Sequence, residues 1–396
     1  MRKPAEYKSF FPEHMRELVS IMHESGYECY FVGGCVRDFC MNIPAHDFDL
    51  TTDADSRTII DVMQAAGLSA TLIGGNCGTV GIKTTDGIAE MTPYRAESGY
   101  SDHRHPTKVT FVKNIREDLA RRDFTVNAMA LTSGNDHEPM IFDPFDGMRD
   151  IEKRVIKCVG DPALRFEEDA LRILRALRFS ARLGFRIEAD TADAMRKFGA
   201  SLSYISGERK RSELYEILCY RHPESVFELF PTVFVEFLGT IFHTQLDNVP
   251  NNFEQRLFYL LRDRKSADLA DVAEKLKLSK NEAKNIFAYK TIYDSVNGNT
   301  EIPDNEFYKL VCDFGMIVAD YLRIFGKYKE REYFFNDKHI PKTVSDLDVD
   351  GKYIESLGFK GAQIGQILKS ILLKCVSGEL DNKREKILVY LQNFNH

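Results

Sequence analysis

With 396 residues, the chain is longer than one ordinary hydrophobic core, so we expect two or more domains. A hydrophobic fraction of 43% and a charged fraction of 29% indicate a soluble globular protein, and the lack of an apolar run of about 20 residues argues against a membrane span. The formal net charge of −7 neither indicates nor excludes binding to nucleic acid, because phosphate contacts depend on local clusters of Lys and Arg.

The eight cysteines form no Cys-x-x-Cys pair, which argues against a zinc knuckle and against a disulfide framework. The N-terminal residues are polar and charged and lack the apolar core of a signal peptide. We therefore predict a cytoplasmic protein that makes no contact with a membrane.

The N-terminal part of the chain, residues 1–150, alternates β-rich runs with helical segments and frequent glycines. Runs of β-branched and aromatic residues predict five strands, at Glu28–Val32, Phe48–Leu50, Thr79–Lys83, Ile88–Met91 and Lys108–Val112. From about residue 165 onward helical periodicity dominates, and the turn-rich stretch Asp143–Asp150 is the natural boundary. The predicted fold class is therefore α+β: a small head with a mixed sheet, followed by an all-helical remainder.

A glycine-rich turn follows the first predicted strand, in the sequence Gly33-Gly34-Cys35-Val36-Arg37-Asp38. Glycines between a strand and a helix let backbone N–H groups approach an anion, and the helix dipole favours the same charge. Gly34 and Arg37 are therefore candidates for binding the phosphates of a nucleotide. The alternative is an ordinary tight turn without a ligand.

Two aspartates, Asp47 and Asp49, are separated by one residue at the second predicted strand. Residues i and i+2 of a strand face the same side, so the two carboxylates share one space and repel each other unless a cation separates them. Oxygen ligands of this kind suit Mg²⁺. Glu90, near the end of another strand, is a candidate third carboxylate for two-metal phosphoryl transfer. The alternative is a solvated acidic turn.

These motifs resemble the head of the DNA polymerase β nucleotidyltransferase superfamily, in the class II branch of tRNA CCA-adding enzymes and bacterial poly(A) polymerases. Three later segments match the branch in the same order, at Arg121–Ala128, Asp143–Gly147 and Glu168–Arg172. The resemblance implies a catalytic head over residues 1–150, a helical neck over 151–220, and a body and tail that bind tRNA over 221–396. It also implies ATP and CTP as substrates, Mg²⁺ as cofactor and no binding of DNA.

The residues from Glu168 to Arg182 are predicted to form one helix, with polar groups at three-residue intervals at Asp169, Arg172, Arg175 and Arg178. An enzyme that selects ATP and CTP without a nucleic-acid template must recognise the amino donor and ring-nitrogen acceptor that A and C share. A carboxylate at Asp169 and a guanidinium at Arg172 complement that pattern. A solvated amphipathic helix with Asp–Arg pairs is the alternative.

The resemblance also suggests roles for other residues of the predicted nucleotide site. Arg175 and Arg178 would line it, as in the resembling family. Arg122 is the candidate ligand of the triphosphate, and Asp123 and Asn127 are candidates for contact with the ribose.

The polar segment Tyr94–Pro106 resembles the flexible loop that family members need to switch from C to A addition, which argues against an enzyme that adds only C. Poly(A) polymerases would be expected to carry a basic C-terminal extension, whereas acids and bases balance in Cys375–His396. We therefore favour CCA addition. An A-adding or poly(A)-synthesising enzyme, a small-molecule nucleotidyltransferase and a non-catalytic RNA-binding protein remain alternatives.

Overall fold

The computed structural model describes residues 4–100, 106–133, 139–220, 223–239, 243–296 and 301–392. Within this part, the chain divides into two compact units, Met1–Glu213 and Leu214–His396. The division of function at residues 150 and 220 stays a prediction. None of the helices in the described ranges is long and apolar enough to cross a lipid bilayer.

The first unit contains all the strands found in the described residues, and its main element is a mixed sheet. The strands are β1 (Cys29–Val32), β2 (Asp49–Thr52), β3 (Ala70–Gly74), β4 (Thr79–Thr84), β5 (Gly87–Pro93), β6 (Arg95–Tyr100), β7 (Pro106–Phe111), β8 (Ala130–Ser133), β9 (Pro139–Phe142), β10 (Val155–Ile156) and β11 (Arg186–Ile187). Seven of them form a sheet in the order β3-β4-β5-β2-β1-β8-β9. Only β2 and β5 pair in parallel within that sheet, which confirms the predicted mixed sheet.

The helices of the first unit precede, connect and follow these strands. They are α1 (Pro4–Phe10), α2 (Glu13–Glu24), α3 (Gly34–Met41), α4 (Ser56–Ala65), α5 (Ile115–Ala120), α6 (Gly147–Lys153), α7 (Pro162–Glu168), α8 (Leu171–Leu183), α9 (Ala189–Phe198) and α10 (Gly207–Cys219), the last of which crosses the unit boundary. Short 3-10 turns lie at Gly75–Cys77, Thr125–Asn127 and Gly199–Tyr204.

The main core of this unit lies where α2, α3 and α4 cover the sheet. Its centre is aromatic, and the ring centroids of Phe11 and Phe31 are 4.2 Å apart. Phe48 packs against the same cluster through Phe11, with 5.7 Å between the ring centroids. The residue between the two aspartates therefore anchors the start of β2 to the core.

The structure corrects three predictions about local structure. The stretch predicted to be all-helical contains one short parallel ladder, between β10 and β11. The segment Tyr94–Pro106, predicted to be a loop between strands, is largely strand, because β6 forms a hairpin with β7. Residues 101–105 lie outside the described residues. The helix predicted over Glu168–Arg182 is two helices, since Asp169 has extended backbone angles (φ −144°, ψ 103°) between α7 and α8.

The second unit is helical throughout its described residues. It contains α11 (Glu224–Leu229), α12 (Pro231–Leu238), α13 (Phe253–Leu261), α14 (Ser266–Lys275), α15 (Lys280–Ser295), α16 (Asp304–Phe314), α17 (Ile317–Ile324), α18 (Tyr328–Asn336), a 3-10 turn (Val344–Asp346), α19 (Gly351–Ser356), α20 (Ala362–Val376) and α21 (Arg384–Gln392). Ser279 and Glu282 form a capping box at the start of α15, which ends the turn after α14.

Candidate active site

Asp47 and Asp49 lie at the entrance to β2 and face two cavities of the first unit, both of which they line. Desolvation raises the pKa of the Asp49 carboxyl above its ordinary value, and the negative charge of Asp47 raises it further. Arg122 opposes this rise, and Glu90 adds to it. The two carboxylates therefore repel each other when no cation is bound between them, as the sequence predicted.

The glycine turn connects β1 to α3 and requires glycine at one of its two positions. Gly33 has φ +75°, a value that L side chains rarely adopt, and a Cβ atom there would lie 3.0 Å from Nη1 of Arg122. Gly34 is the first residue of α3, and a Cβ atom there would contact only Nη2 of Arg37, at 3.6 Å. The left-handed conformation of Gly33 therefore brings the chain close to Arg122.

We expect Gly33→Ala to lower the free energy of unfolding by about 1–2 kcal/mol, because alanine in this backbone conformation is strained and also contacts Arg122. Gly34→Ala is the matched control. It should be neutral or slightly stabilising, because alanine favours a helix more than glycine does. Urea unfolding of both variants measures the difference. Equal losses of stability would contradict the assignment of the strain to Gly33.

The larger cavity, of about 750 Å³, lies beside this turn and is rich in arginine. Its lining includes all the predicted nucleotide-binding residues, which are Gly34, Arg37, Arg122, Asp123, Asn127, Asp169, Arg172, Arg175 and Arg178. It also includes basic residues that were not predicted to be in the site, namely Arg95, Arg121, Arg182 and Arg209. A cavity with this lining attracts a polyanion.

Arg37 is buried and its guanidinium is held by protein groups. Its Nε and Nη2 atoms donate to Asp38 at 2.9 and 2.7 Å, and Nη1 donates to Oδ1 of Asn127 at 2.6 Å. Nδ2 of Asn127 donates in turn to Asp123 at 3.3 Å, and Arg175 donates to Asp123 at 2.8 Å. These residues thus connect α3, the 3-10 turn and α8. A phosphate contact from Arg37, as the sequence predicted, would require exchange of these partners.

Asp123 is the charged centre of this network. Burial opposes its ionisation, but the charge and hydrogen bond of Arg175, with the hydrogen bonds from Phe124 and Asn127, outweigh burial and hold the pKa of Asp123 below its ordinary value. The carboxylate is therefore ionised and fixes Arg175 at the cavity wall. The predicted contact of Asp123 with a ribose stays a prediction.

Arg122 lines the cavity and makes few hydrogen bonds to the protein. Its Nη2 atom lies 3.4 Å from Asp118, and its buried Nε atom has no hydrogen-bond partner among the described residues. An unpaired buried donor costs stability, and an anionic ligand would remove that cost. This supports the prediction that Arg122 binds phosphate.

Asp118 positions both arginines of the Arg121-Arg122 pair and is fully buried on α5. Arg121 donates to its Oδ1 atom at 3.0 and 2.7 Å. Burial opposes ionisation here too, but the charges of Arg121 and Arg122 outweigh it and hold the pKa of Asp118 below its ordinary value of 3.8. Asp118 was not predicted, although its spacing of three and four residues from the arginines is the helical signal for such pairs.

We expect Asp118→Ala to lower the free energy of unfolding by about 3 kcal/mol at pH 7, because it leaves two arginines without their buried partner. The stabilisation from a depressed carboxyl pKa is complete above the unfolded-state pKa and is lost as the pH falls through the folded-state pKa. The difference in free energy of unfolding between the variant and wild type should therefore decrease as the pH falls below 3.8. Urea unfolding at pH 7 and pH 3 measures it, with the exposed neighbour Glu117→Ala as control. A deficit that is independent of pH would contradict this role.

Asp169 lies between α7 and α8, where its carboxylate has two partners. Oδ1 accepts from the backbone N–H of Leu171 at 3.0 Å and so caps α8, and Oδ2 accepts from Arg209 at 2.9 Å. The extended backbone of Asp169 breaks the predicted single helix at this residue, and its side chain accepts from the first residue of α8.

Arg172 is the second residue of α8 and is buried. It donates to Glu168 at 2.5 Å and to the backbone oxygens of Arg165 and Arg121, each at 3.1 Å. The structure thus brings Asp169 and Arg172 to one cavity but gives each a different protein partner. Glu168 and Arg209 were not among the predicted site residues.

Arg178 and Arg182 continue the arginine row of α8. Arg178 forms an ion pair with Glu213 at 2.8 Å and stacks on Phe179, 4.7 Å from the ring centroid. Arg182 lies 3.5 Å from Asp38 and is about one-third exposed. Leu171, Leu174 and Leu177 of the same helix are buried.

Glu90 lines a second, smaller cavity together with Asp47 and Asp49. Its side chain is exposed on β5, where it pairs with Gly81 of β4. In the described residues, no group of three or more His, Cys, Asp and Glu side chains is placed to hold a metal ion. The role of Glu90 as a third carboxylate therefore stays a prediction, supported by its effect on the pKa of Asp49.

Comparison with known proteins places this architecture in one family. Residues 29–157 match the poly(A) polymerase head domain, and residues 184–230 match a segment described as the probable RNA- and SrmB-binding site of polymerase A. The CCA-adding enzyme of Limosilactobacillus fermentum is 45% identical over 216 residues, which are 54% of this chain and 50% of that protein. The CCA-adding enzyme of Bacillus pumilus is 33% identical over 96% of both chains.

Solved structures agree with the sequence comparison. The CCA-adding enzyme of Bacillus stearothermophilus, in complex with CTP, has a TM-score of 0.77 at 25% identity and covers 100% of this chain and 98% of its own. The Thermotoga maritima CCA-adding enzyme, complexed with tRNA, shows the same fold, with a TM-score of 0.72 at 22% identity over 98% of both chains. The protein thus belongs to the family of the CCA-adding enzymes, which shares its head domain with the poly(A) polymerases.

Proposed function

We propose that this chain adds C, C and A from CTP and ATP to the 3′ end of tRNA, without a nucleic-acid template and with release of pyrophosphate. The proposal rests on one cavity. It has a carboxylate pair at its edge, arginines along its wall, and Asp169 and Arg172 in its lining. The full-length similarity to CCA-adding enzymes supports it.

The carboxylate pair is suited to Mg²⁺. Asp47 and Asp49 supply the oxygen ligands that Mg²⁺ prefers, and a bound cation would remove the repulsion that raises the pKa of Asp49. Bound Mg²⁺ would lower the pKa of the attacking hydroxyl and neutralise charge on the leaving pyrophosphate. The chain itself supplies Phe48, which anchors the pair, and Arg122, which partly balances its charge.

The arginines of the cavity hold the triphosphate. The buried Nε atom of Arg122 has no hydrogen-bond partner among the described residues, and Asp118 holds the same guanidinium through its Nη2 atom. Guanidinium groups suit phosphates because they donate two parallel hydrogen bonds. Arg175 and Arg178 are held by Asp123 and Glu213, so they add positive charge to the cavity without having to be ordered when the nucleotide binds.

Asp169 and Arg172 select the base. Both side chains are bound to protein groups in the structure, Asp169 to Arg209 and Arg172 to Glu168. A cytosine or adenine offers an amino donor to the carboxylate and a ring nitrogen to the guanidinium, and so replaces these partners. Uracil and guanine present the opposite pattern and would leave the charged groups unpaired, which is costly.

The experiment is to incubate the purified chain with tRNA that lacks its CCA end, together with CTP, ATP and MgCl₂, and to sequence the 3′ ends of the products. We expect a single CCA on each tRNA. A long A tract would assign the chain to poly(A) synthesis, addition of A only to tRNA that ends in CC would assign it to A addition, and no extension would refute the transferase function.

A further inference from the structure

The smaller cavity, which Glu90 lines, has a volume of about 340 Å³. It lies between the start of α2, which contributes His14, and the turn from β4 to β5, which contributes Asp86. Asp47 and Asp49 line it as well, so it shares the carboxylate pair with the arginine-rich cavity.

The two cavities lie on opposite sides of the carboxylate pair along the sheet. In the strand order β4-β5-β2-β1-β8, Asp49 starts β2. The larger cavity is lined from the side of β1 and β8, by the Gly33 turn and Asn127, and the smaller one from β4 and β5. In phosphoryl transfer the attacking and leaving oxygens lie roughly in line on opposite sides of phosphorus. With the triphosphate in the larger cavity, the attacking hydroxyl therefore comes from the smaller one.

The lining of the smaller cavity suits a nucleoside and not a phosphate chain. Its charged side chains are carboxylates, with no Lys or Arg among the lining residues that the structure describes. Carboxylates repel phosphate and accept hydrogen bonds from hydroxyl groups. Pro12, Met15 and Ile88 give the same cavity apolar surface, and Ile88 is 70% exposed. A sugar with its base offers both kinds of surface.

His14 lines this cavity and is paired with Asp86 through one of its two ring nitrogens. Its Nδ1 atom lies 3.1 Å from Oδ2 of Asp86, and the imidazole is 20% exposed while the carboxylate is 71% exposed. Its Nε2 atom has no hydrogen-bond partner among the described residues. Asp86 thus fixes the ring through one nitrogen, and a ligand in the cavity can bind the other.

We propose that this cavity binds the 3′-terminal nucleoside of the acceptor RNA and that Nε2 of His14 contacts its ribose 2′-hydroxyl. The 3′-hydroxyl of this nucleoside attacks the incoming nucleotide, whereas its 2′-hydroxyl does not react and can be bound by the protein. The 2′-hydroxyl is also the group that distinguishes RNA from DNA. His14 is a binding residue for the acceptor, and Asp86 positions it. The inference rests on the proposed transferase function.

The experiment compares wild type, His14→Ala, Asp86→Ala and the control Glu13→Ala, an exposed residue of the same helix outside the cavity lining. Each is assayed with CTP and tRNA that lacks CCA and ends in either ribose or 2′-deoxyribose. For wild type and control we expect the KM for RNA to be about tenfold higher with the deoxy end, the effect of about 1.4 kcal/mol. His14→Ala should show the higher KM with both ends and no further effect of deoxy substitution, because both changes remove the same contact.

A second measurement does not depend on catalysis: the Kd of the same RNAs is determined by fluorescence anisotropy in the absence of CTP. Wild type should bind RNA that ends in ribose more tightly than RNA that ends in 2′-deoxyribose, and His14→Ala should bind both equally. The KM for CTP should stay at the wild-type value in both variants. If wild type extends tRNA but His14→Ala keeps the wild-type preference for a ribose end, the acceptor site is refuted while the transferase function stands. If wild type extends no RNA, the transferase function itself fails.

Discussion

Asp47→Asn together with Asp49→Asn lowers kcat for nucleotide addition by about a thousand-fold or more, an effect of about 4 kcal/mol on the activation barrier. Amide groups keep the size of the side chains but are poor ligands for Mg²⁺, so the charge that develops on the transferred phosphoryl group is no longer balanced. Single-turnover incorporation of labelled CTP into tRNA measures the loss, because it separates chemistry from product release.

The same variant should be at least as stable as wild type. A lower rate in a stable variant then reflects a loss of catalysis and not a loss of folding. The raised pKa of Asp49 means that its ionised form is disfavoured in the folded protein, so removal of the charge at pH 7 relieves repulsion. We expect an equal or higher melting temperature. Addition of MgCl₂ with CTP should raise the melting temperature of wild type more than that of the variant. A kcat of the variant within tenfold of the wild-type value would show that catalysis does not depend on the carboxylate pair.

The head and its motifs could be predicted from the sequence because their geometry is local. Asp47, Phe48 and Asp49 alternate at a strand entrance, so the direction of each side chain follows from the period of a strand. Gly33 and Gly34 follow β1 at once, so the turn and the helix start were fixed by neighbours in the chain.

Partners that are distant in the sequence could not be predicted in this way. Asp169 is paired with Arg209, forty residues away, and Arg37 with Asn127, ninety residues away. Periodicity within one helix gives no information on such pairs. It therefore suggested that Asp169 and Arg172 act together on one helix, whereas Asp169 caps the helix that holds Arg172. The β6–β7 hairpin was missed because polar residues and glycine resemble a loop when strand pairing is unknown.

Asp169→Asn reduces the discrimination between CTP and UTP by about 10- to 100-fold, the range expected for loss of one well-placed pair of hydrogen bonds to a base edge. The amide keeps an oxygen that can accept from the Leu171 N–H, so α8 keeps its cap. The other oxygen, which now accepts from Arg209, is replaced by an amino donor, which suits the carbonyl of uracil better than the amino group of cytosine. The ratio of kcat/KM for CTP to that for UTP, on tRNA that lacks CCA, measures the change.

The matched control is Asp161→Asn, because Asp161 caps the preceding helix α7 through the Ala163 N–H at 2.8 Å but does not line the nucleotide cavity. It should keep the wild-type ratio, so a change confined to Asp169→Asn reports base contact and not helix capping. If the Asp169 variant discriminates as wild type does, selection of the base must come from other cavity residues. If both variants lose discrimination equally, the two side chains act by holding α7 and α8 in place. Asp169 would then have no direct contact with the base.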